Sequence, residues 1–435
     1  MSRVAGADRV LVLIWGGAVT AAAIALVGAP SPLPLDAGLV AHVAGMLAGY
    51  LTGVMVVLMS RAPVLERRIG SDVLARWHSK GGRLFIALAL LHTGAALEAW
   101  AQTRQQDLVT SLLAVLGLPG LLQATTGTIL FVAIAVISIR VARRRVSHET
   151  WHGVHLLTYV AISLSFVHEL GGPNLAGHPV LQVAWTLMHA YALALVLRFR
   201  LMRPLENAWR HRLQVEAVIP EADGVVSVVM RGRHLDELGA EPGQFLRWRF
   251  LDGGLWRTAH PFSLSAPIYG DYLRITVKAL GTGSRRVQSV RPGTRVLAEG
   301  PSGAMTAGRR TRAAVLLIGG GVGITPMRAL FETIPLRPPG GLALLYRAST
   351  PRDVIFQREL EQIAHLRGAD LIWMVGPSSA PELKMTGPNL RRLVPDIADR
   401  DVYLCASPGL SAAVRAGLRE AGLPSRHLHE EVFSF

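Results

Sequence analysis

One cysteine, Cys405, is all the thiol chemistry this 435-residue chain possesses. That excludes an internal disulfide framework, a CxxC redox pair and any cysteine-ligated iron–sulfur cluster. Charge is also scarce, at 17% of residues, and acidic charge scarcer: 30 Asp and Glu stand against 45 Lys and Arg. No Lys-Ser/Thr follows the one glycine-rich loop of interest, which rules out a nucleotide-hydrolysing P-loop. What is abundant is apolar surface. Half of the residues are hydrophobic, too many for a wholly soluble chain, and the length exceeds one ordinary domain. The formal net charge of +15 invites a nucleic-acid partner. The arginines, however, cluster beside the apolar runs, as at a cytoplasmic membrane face, and no nucleic acid is expected.

Apolar length places six membrane spans near 10–28, 38–60, 82–100, 124–141, 153–170 and 179–199. The first follows Arg3 and Arg9 and is longer than a usual signal-peptide core, so an uncleaved anchor is expected. Residues 108–122 are apolar but interrupted by Gly117, Pro119 and Gly120, which reads as a re-entrant or interfacial piece. Arg61, Arg67, Arg68, Arg76 and Lys80 lie between spans two and three, and Arg140, Arg143, Arg144 and Arg145 between four and five. Arg198, Arg200, Arg203, Arg210 and Arg212 follow span six, whereas 29–38 and 171–179 hold no Lys or Arg. The positive-inside rule then puts both termini of a multi-pass protein in the cytoplasm, with spans three and five running outward in parallel.

Those two spans carry a matched set of histidines: His78 and His92 on one, His155 and His168 on the other. Separations of fourteen and thirteen residues correspond to about 20 Å of helical rise. Side by side, the helices pair His78 with His155 at an inner level and His92 with His168 at an outer one. Imidazole is a favoured axial ligand of haem iron, so each pair is a candidate clamp for one b-type haem. Ionisable groups within spans are expensive and usually functional, which favours ligands over headgroup-wetted helix ends. At about 100° per residue fourteen residues return to one helix face, whereas thirteen fall short. The second helix therefore needs a kink, a π-bulge or different rotamers, with His152 as reserve ligand. Phe85 lies midway between His78 and His92, either between haems or as apolar filler. His42, His178 and His189 are read as wet or capping residues, and Glu98 and Glu169 as interfacial ones.

From about His211 short alternating strands punctuated by Gly and Pro indicate a small antiparallel β-barrel. His260-Pro261-Phe262-Ser263 starts one strand, and Lys278 with Gly281-Thr282-Gly283-Ser284 follows another, where N–H groups and a hydroxyl suit a pyrophosphate. From Thr311 strands alternate with helices, which indicates a parallel sheet of the dinucleotide-binding kind. Ala313–Ile318 leads into Gly319-Gly320-Gly321-Val322-Gly323-Ile324-Thr325-Pro326 and a helix, a strand–glycine loop–helix arrangement that admits phosphates. Arg347 follows the strand ending at Tyr346, where a 2′-phosphate would lie, with Arg352 close by. NADPH is therefore expected over NADH, with NADH the alternative if these are only solvated loop arginines.

On these motifs the C-terminal half resembles the ferredoxin–NADP reductase superfamily. With the four-histidine membrane half, the chain resembles bacterial NADPH oxidases and ferric reductases from about span two onward. The resemblance implies that His260 and Ser263 contact polar groups of FAD, with Phe262 beside the isoalloxazine. It implies that Gly281 and Ser284 meet the pyrophosphate, that Gly320, Gly321, Gly323, Thr325 and Pro326 hold the nicotinamide dinucleotide, and that Cys405 lies near the nicotinamide. The closing Glu-x-aromatic falls at Glu431-Val432-Phe433, whose ring covers the flavin in that family; this chain continues to Phe435. The position one turn beyond the outer ligand, a histidine in many eukaryotic oxidases, is Ala96 here.

The expected architecture is multidomain. A six-helix transmembrane di-haem bundle (1–207) precedes an antiparallel β-barrel FAD domain (208–308) and an α/β Rossmann-like NAD(P) domain (309–435). The expected function carries electrons from cytoplasmic NADPH through FAD and two b haems to O₂, ferric iron or a periplasmic protein. The competing expectations are an electron-delivery subunit and a haem-free, membrane-anchored flavin reductase.

Overall fold

A computed structural model of the chain describes residues 3–27, 35–139, 146, 148–336 and 341–432. It divides into two compact units, Met1–Leu201 and Met202–Phe435.

The first unit is helical: α1 Arg3–Ala25, α2 Ala37–Leu58, α3 Pro63–Arg68, α4 Ser71–Arg104, α5 Leu108–Leu116, α6 Leu121–Ser138, α7 His148–Leu156, α8 Thr158–Gly171 and α9 Pro179–Val196. Six stretches among the described residues are long and apolar enough to cross a membrane: Ala7–Ala25, Ala37–Leu58, Val73–Arg104, Leu121–Ser138, Thr150–Gly171 and Pro179–His211. The third starts well before the expected 82. Arg76, Lys80 and Arg83 do not end a helix; their long stems let the charged heads reach water from its end. The apolar piece after Asp107 forms only the nine-residue α5, about 14 Å long and stopped by Gly117, too short to span. Asp36 caps α2 by accepting from the Leu39 N–H at 2.9 Å.

α2 is the hub of this unit. Ala41, Ala44, Ala48 and Gly49 are buried along it, and such small residues let neighbouring helix backbones come close. α7 and α8 form one span broken at Leu157. There the Leu157 N–H reaches back only three residues, to the Val154 carbonyl, and the Thr158 hydroxyl donates to the His155 carbonyl at 2.7 Å. A side chain competing for a helix carbonyl is a recognised cause of bending. The irregularity required by the thirteen-residue spacing therefore exists, and it lies between the two histidines.

The second unit opens with α10 Arg203–His211 and continues into β1 Gln214–Ala222, β2 Val225–Arg231, β3 Phe245–Phe250, β4 His260–Ser263, β5 Tyr272–Lys278, α11 Thr282–Val287 and β6 Val296–Ser302. The strands form two antiparallel sheets, β1-β2-β5 and β4-β3-β6. Bridges from Gln214 to Arg295 and from Leu264 to Ile275 join them into the expected barrel. Alternate residues of β3 and β2, among them Leu246, Trp248, Phe250, Val228 and Met230, fill its core.

β7 Val315–Gly320, α12 Ile324–Thr333, β8 Leu342–Ala348, α13 Gln357–Arg367, β9 Asp370–Val375, α14 Gly387–Leu393, β10 Asp401–Ala406, α15 Pro408–Glu420 and β11 Leu428–Val432 complete the unit. The sheet runs β11-β10-β7-β8-β9, all parallel. Every residue of β8 and β10 is buried, as expected of strands covered on both faces.

Candidate functional site

The structure brings the four span histidines together in the two expected pairs. The rings of His78 on α4 and His155 on α7 have centroids 5.9 Å apart. Those of His92 on α4 and His168 on α8 are 6.1 Å apart. An imidazole nitrogen binds a metal at about 2 Å, so two imidazoles on opposite sides of one iron hold their ring centres roughly 6 Å apart. Both pairs fit a bis-histidine haem site. His92 Nδ1 lies 2.8 Å from the Ala41 carbonyl, and His78 Nδ1 lies 3.3 Å from the Met55 carbonyl. Both carbonyls belong to α2. A ring that donates Nδ1–H to a carbonyl keeps Nε2 as the ligating nitrogen. His155 instead stacks on Trp151 at 5.0 Å, and the Trp151 indole donates to the Ser138 hydroxyl at 3.1 Å. The ring that the His78 ring meets is that of His155. Phe85 meets Phe131 of α6 edge-on, with centroids 4.7 Å apart.

Two readings of single residues are corrected. His189 lies in the middle of α9 rather than at a wet end, its side chain only 11% exposed and 3.8 Å from Glu169. Glu169 is no mere interfacial group: its carboxylate accepts the Trp185 indole N–H at 2.8 Å. His42 bonds to the Asn174 side-chain oxygen at 2.7 Å, while His178 occupies the cap position before α9.

In the second unit the two barrel motifs meet. A Cβ on Gly283 would overlap the His260 ring, so glycine there lets the Gly281–Ser284 loop lie against the His260–Ser263 strand. His260 and Phe262, two apart on β4, present nearly parallel rings 6.3 Å apart, with Pro261 between. The Ser263 hydroxyl is buried without a hydrogen-bond partner among the described residues, a group that a bound polar ligand would satisfy. Lys278, opposite Val225, ends β5 just before the loop. Ser284 departs from expectation. Its hydroxyl accepts the N–H groups of Leu280 at 2.9 Å and Gly281 at 2.8 Å, and so shapes the loop rather than standing free for a phosphate.

The glycine loop joins β7 to α12 as expected, with Gly321 at φ +55. Gly320 and Gly323 serve packing as well: a Cβ at 320 would press on Ala406 at 2.9 Å, and one at 323 on the Cys405 carbonyl. Thr325 donates to the Val322 carbonyl at 3.0 Å and Pro326 is buried in the first turn of α12. Cys405 is fully buried on β10 between Gly319 of β7 and Glu431 of β11. Burial first, and then Glu431 and Glu430, push its thiol well above the usual range, so it stays protonated. Glu431 accepts the Ala304 N–H at 3.2 Å, tying the last strand to the barrel's exit loop. Phe433 and Phe435 lie outside the described residues.

Arg347 is the clearest departure. It is 6% exposed, and its guanidinium donates to the Ala348 carbonyl and, at 3.1 Å, to the Met374 carbonyl. Both bonds are made by one guanidinium nitrogen, Nη1, while Arg352, in the turn after β8, is exposed.

Several contributors were invisible in sequence. Arg274 of β5 makes a two-pronged ion pair with Glu359 of α13, both contacts 2.8 Å, and Arg328 of α12 joins Glu359 at 2.8 Å. These residues line a cleft of about 390 Å³ between barrel and parallel sheet, together with Tyr269, Tyr272 and Leu366. The Gly45-x₃-Gly49-x₃-Gly53 stripe of α2 was findable by its spacing. A Cβ at 45 would lie 2.7 Å from His92 Nδ1, and one at 49 would lie 2.9 Å from the Glu169 carboxylate.

Residues 44–166 match the family model of the ferric reductase like transmembrane component, and 317–416 that of the oxidoreductase NAD-binding domain. Among curated proteins, the ferredoxin reductase component of 3-ketosteroid-9-alpha-monooxygenase from Mycolicibacterium smegmatis is 30% identical over 230 residues, 51% of this chain and 65% of that protein. The flavohemoprotein of Vibrio cholerae is 30% identical over 206 residues, 45% of this chain and 52% of its own length. The chain thus spans between about half and two thirds of these relatives. Among solved structures, the FAD/NAD binding domain of nitric oxide dioxygenase from Vibrio cholerae aligns over 52% of this chain and 99% of its own, at 26% identity and a TM-score of 0.44.

Proposed function

We propose that this chain, a ferric reductase-like transmembrane component joined to FAD- and NAD(P)-binding oxidoreductase domains of the ferredoxin–NADP reductase type, moves electrons from NADPH across a membrane. The observation that carries this reading is the pair of histidine pairs, 5.9 and 6.1 Å between ring centres, at two levels of one helix bundle. Bound there and in the second unit, two b haems and FAD would supply single-electron carriage and the conversion of a hydride into separate electrons.

The protein's own part is placement. The Ala41 and Met55 carbonyls fix the rings of His92 and His78 from behind, so little motion is needed at the ligating nitrogens. The break at Leu157 turns His155 and His168 toward one partner helix. In the second unit His260, Phe262 and Ser263 offer a flat and partly polar wall for FAD, while the loop from Gly320 to Pro326 receives the dinucleotide phosphates at the start of α12. Cys405, protonated and enclosed, serves as a neutral wall and not as a nucleophile. The arginine-rich segments favour both termini in the cytoplasm, so electrons leave on the opposite side for a small acceptor such as O₂ or ferric iron.

Anaerobic addition of NADPH to the purified protein tests this. The flavin band should bleach, followed by the appearance of reduced b-haem bands; a subsequent oxygen pulse or ferric chelate identifies the acceptor by which one reoxidises the haems within turnover time. Flavin bleaching without any haem band would replace the reading with a membrane-anchored flavin reductase. Fast haem reduction with neither acceptor consumed would favour delivery to an outer-face protein.

A further inference from the structure

The ligand histidine His168 is followed at once by a carboxylate that the histidine-pair reading does not use. Glu169 is 19% exposed, inside a bundle where burying a carboxyl is costly unless it is bonded. It is bonded. Its Oε2 accepts the Trp185 indole N–H of α9 at 2.8 Å and lies 3.8 Å from His189 Nε2. The same oxygen and the Trp185 ring both lie against Gly49 of α2, where any side chain would collide with them. One residue on, the Leu170 carbonyl accepts from the Gln182 side chain of α9 at 3.1 Å. The end of α8 is therefore pinned between α2 and α9.

We infer that Glu169 is a positioning residue: its hydrogen bond to Trp185 sets the rotation of α8 and so aims His168 at His92. This rests on the histidine-pair reading above. Adjacent helix residues point about 100° apart, so Glu169 faces α9 and Gly49 while His168 faces α4. A ring centre lies roughly 6 Å from its helix axis, so a turn of about 20° displaces it by roughly 2 Å, the full length of a ligand bond. α8 needs such a peg more than α4 does. α4 is a continuous helix whose His92 also has the Ala41 carbonyl behind it, whereas α8 starts anew at a break only ten residues before His168. Trp185 cannot easily be exchanged for another donor, since its own ring packs near His189, with centroids 5.7 Å apart.

The test compares haem content and the low-temperature EPR signals of low-spin haem in Glu169→Leu, Glu169→Gln and Trp185→Phe. The parent and His92→Leu are measured first. A parent without two haems sinks the histidine-pair reading itself, whereas a parent with two leaves the comparison valid. Glu169→Leu should lose the haem bound at His92 and His168, falling from two to about one per chain, or shift only that haem's EPR signal. Trp185→Phe should shift the same signal in the same direction. Glu169→Gln should look like the parent, because an amide oxygen still accepts from the indole, and the signal of the His78–His155 haem should stay constant throughout. If Glu169→Leu fails to accumulate, the other two variants still decide. Parental spectra in Trp185→Phe overturn the inference. A Gln variant as damaged as the Leu variant also overturns it, by showing that charge and not the hydrogen bond matters.

Discussion

The rings of His92 and His168 face each other with centroids 6.1 Å apart, although their helices reach that point by different routes. α4 brings His78 and His92 to one face by unbroken helical repetition. The opposing span does so by interrupting itself at Leu157, where the Thr158 hydroxyl takes over the His155 carbonyl. Two spacings that do not match in phase are thereby made to match in space.

Behind His92 there is room only for a glycine. Gly45→Ala would place a methyl 2.7 Å from His92 Nδ1 and push the ring off the Ala41 carbonyl. Overpacking of this kind costs about 1–3 kcal/mol. The expected result is loss of one haem per chain with the other retained, read by haem-to-protein ratio. Unchanged content would show that the ring has slack.

The Arg274–Glu359 pair holds the barrel to the parallel sheet, so it should govern how a nucleotide on one reaches a flavin on the other. Arg274→Ala should slow flavin reduction by NADPH about tenfold, equivalent to roughly 1.4 kcal/mol, with the nucleotide Kd little altered. Stopped-flow reduction over a range of NADPH concentrations separates the two. Burial alone would raise the Glu359 carboxyl, but the bonds and charges of Arg274 and Arg328 outweigh it and hold it below the usual glutamate range. A depressed carboxyl stabilises the pair above its unfolded value and loses that stabilisation as pH falls through the folded one. The clamp should therefore persist through neutral and mildly acidic pH and weaken only in stronger acid.

Nucleotide choice now separates two arginines. Buried, with its Nη1 on the Ala348 and Met374 carbonyls, Arg347 should act on stability: Arg347→Ala is expected to cost about 1–3 kcal/mol and leave the NADPH/NADH ratio intact. Arg352→Ala, at the exposed turn, should erode the NADPH preference about tenfold. Ratios of kcat/KM for both cofactors in both variants check this; an altered ratio at 347 alone would restore the reading made from sequence.

How much was visible beforehand follows from the range of each contact. The histidine spacing within each span, the short barrel strands and the strand–glycine loop–helix unit are patterns within short stretches, and they were legible. The bend in the second ligand helix was legible as a need but not as a place, because Thr158 looks like any span threonine until its hydroxyl finds a carbonyl. Glu169 with Trp185, 16 residues on, and Arg274 with Glu359, 85 residues on, belong to no repeating pattern, and no local period announces them. Arg347 was misjudged for a related reason: the strand does not end at Tyr346 but runs to Ala348, so Arg347 lies within it and its Nη1 reaches neighbouring carbonyls.

At the C-terminus the resemblance to the ferredoxin–NADP reductase superfamily implies Phe433, in the Glu431-x-aromatic register, as the ring over the flavin. A stacked ring is worth about 1 kcal/mol, little enough for a nicotinamide to displace it. Phe433→Ser should weaken FAD retention and narrow the NADPH/NADH selectivity, while Phe435→Ser should do much less. The larger effect at 435 would show that the other ring stacks.

The most direct measurement of the central claim is haem stoichiometry in the parent, His92→Leu and His168→Leu, with flavin reduction followed in the same samples. Two b haems per chain in the parent, one in each variant and undiminished flavin reduction by NADPH are the expected result. Full haem content in both variants, or none in the parent, would contradict it.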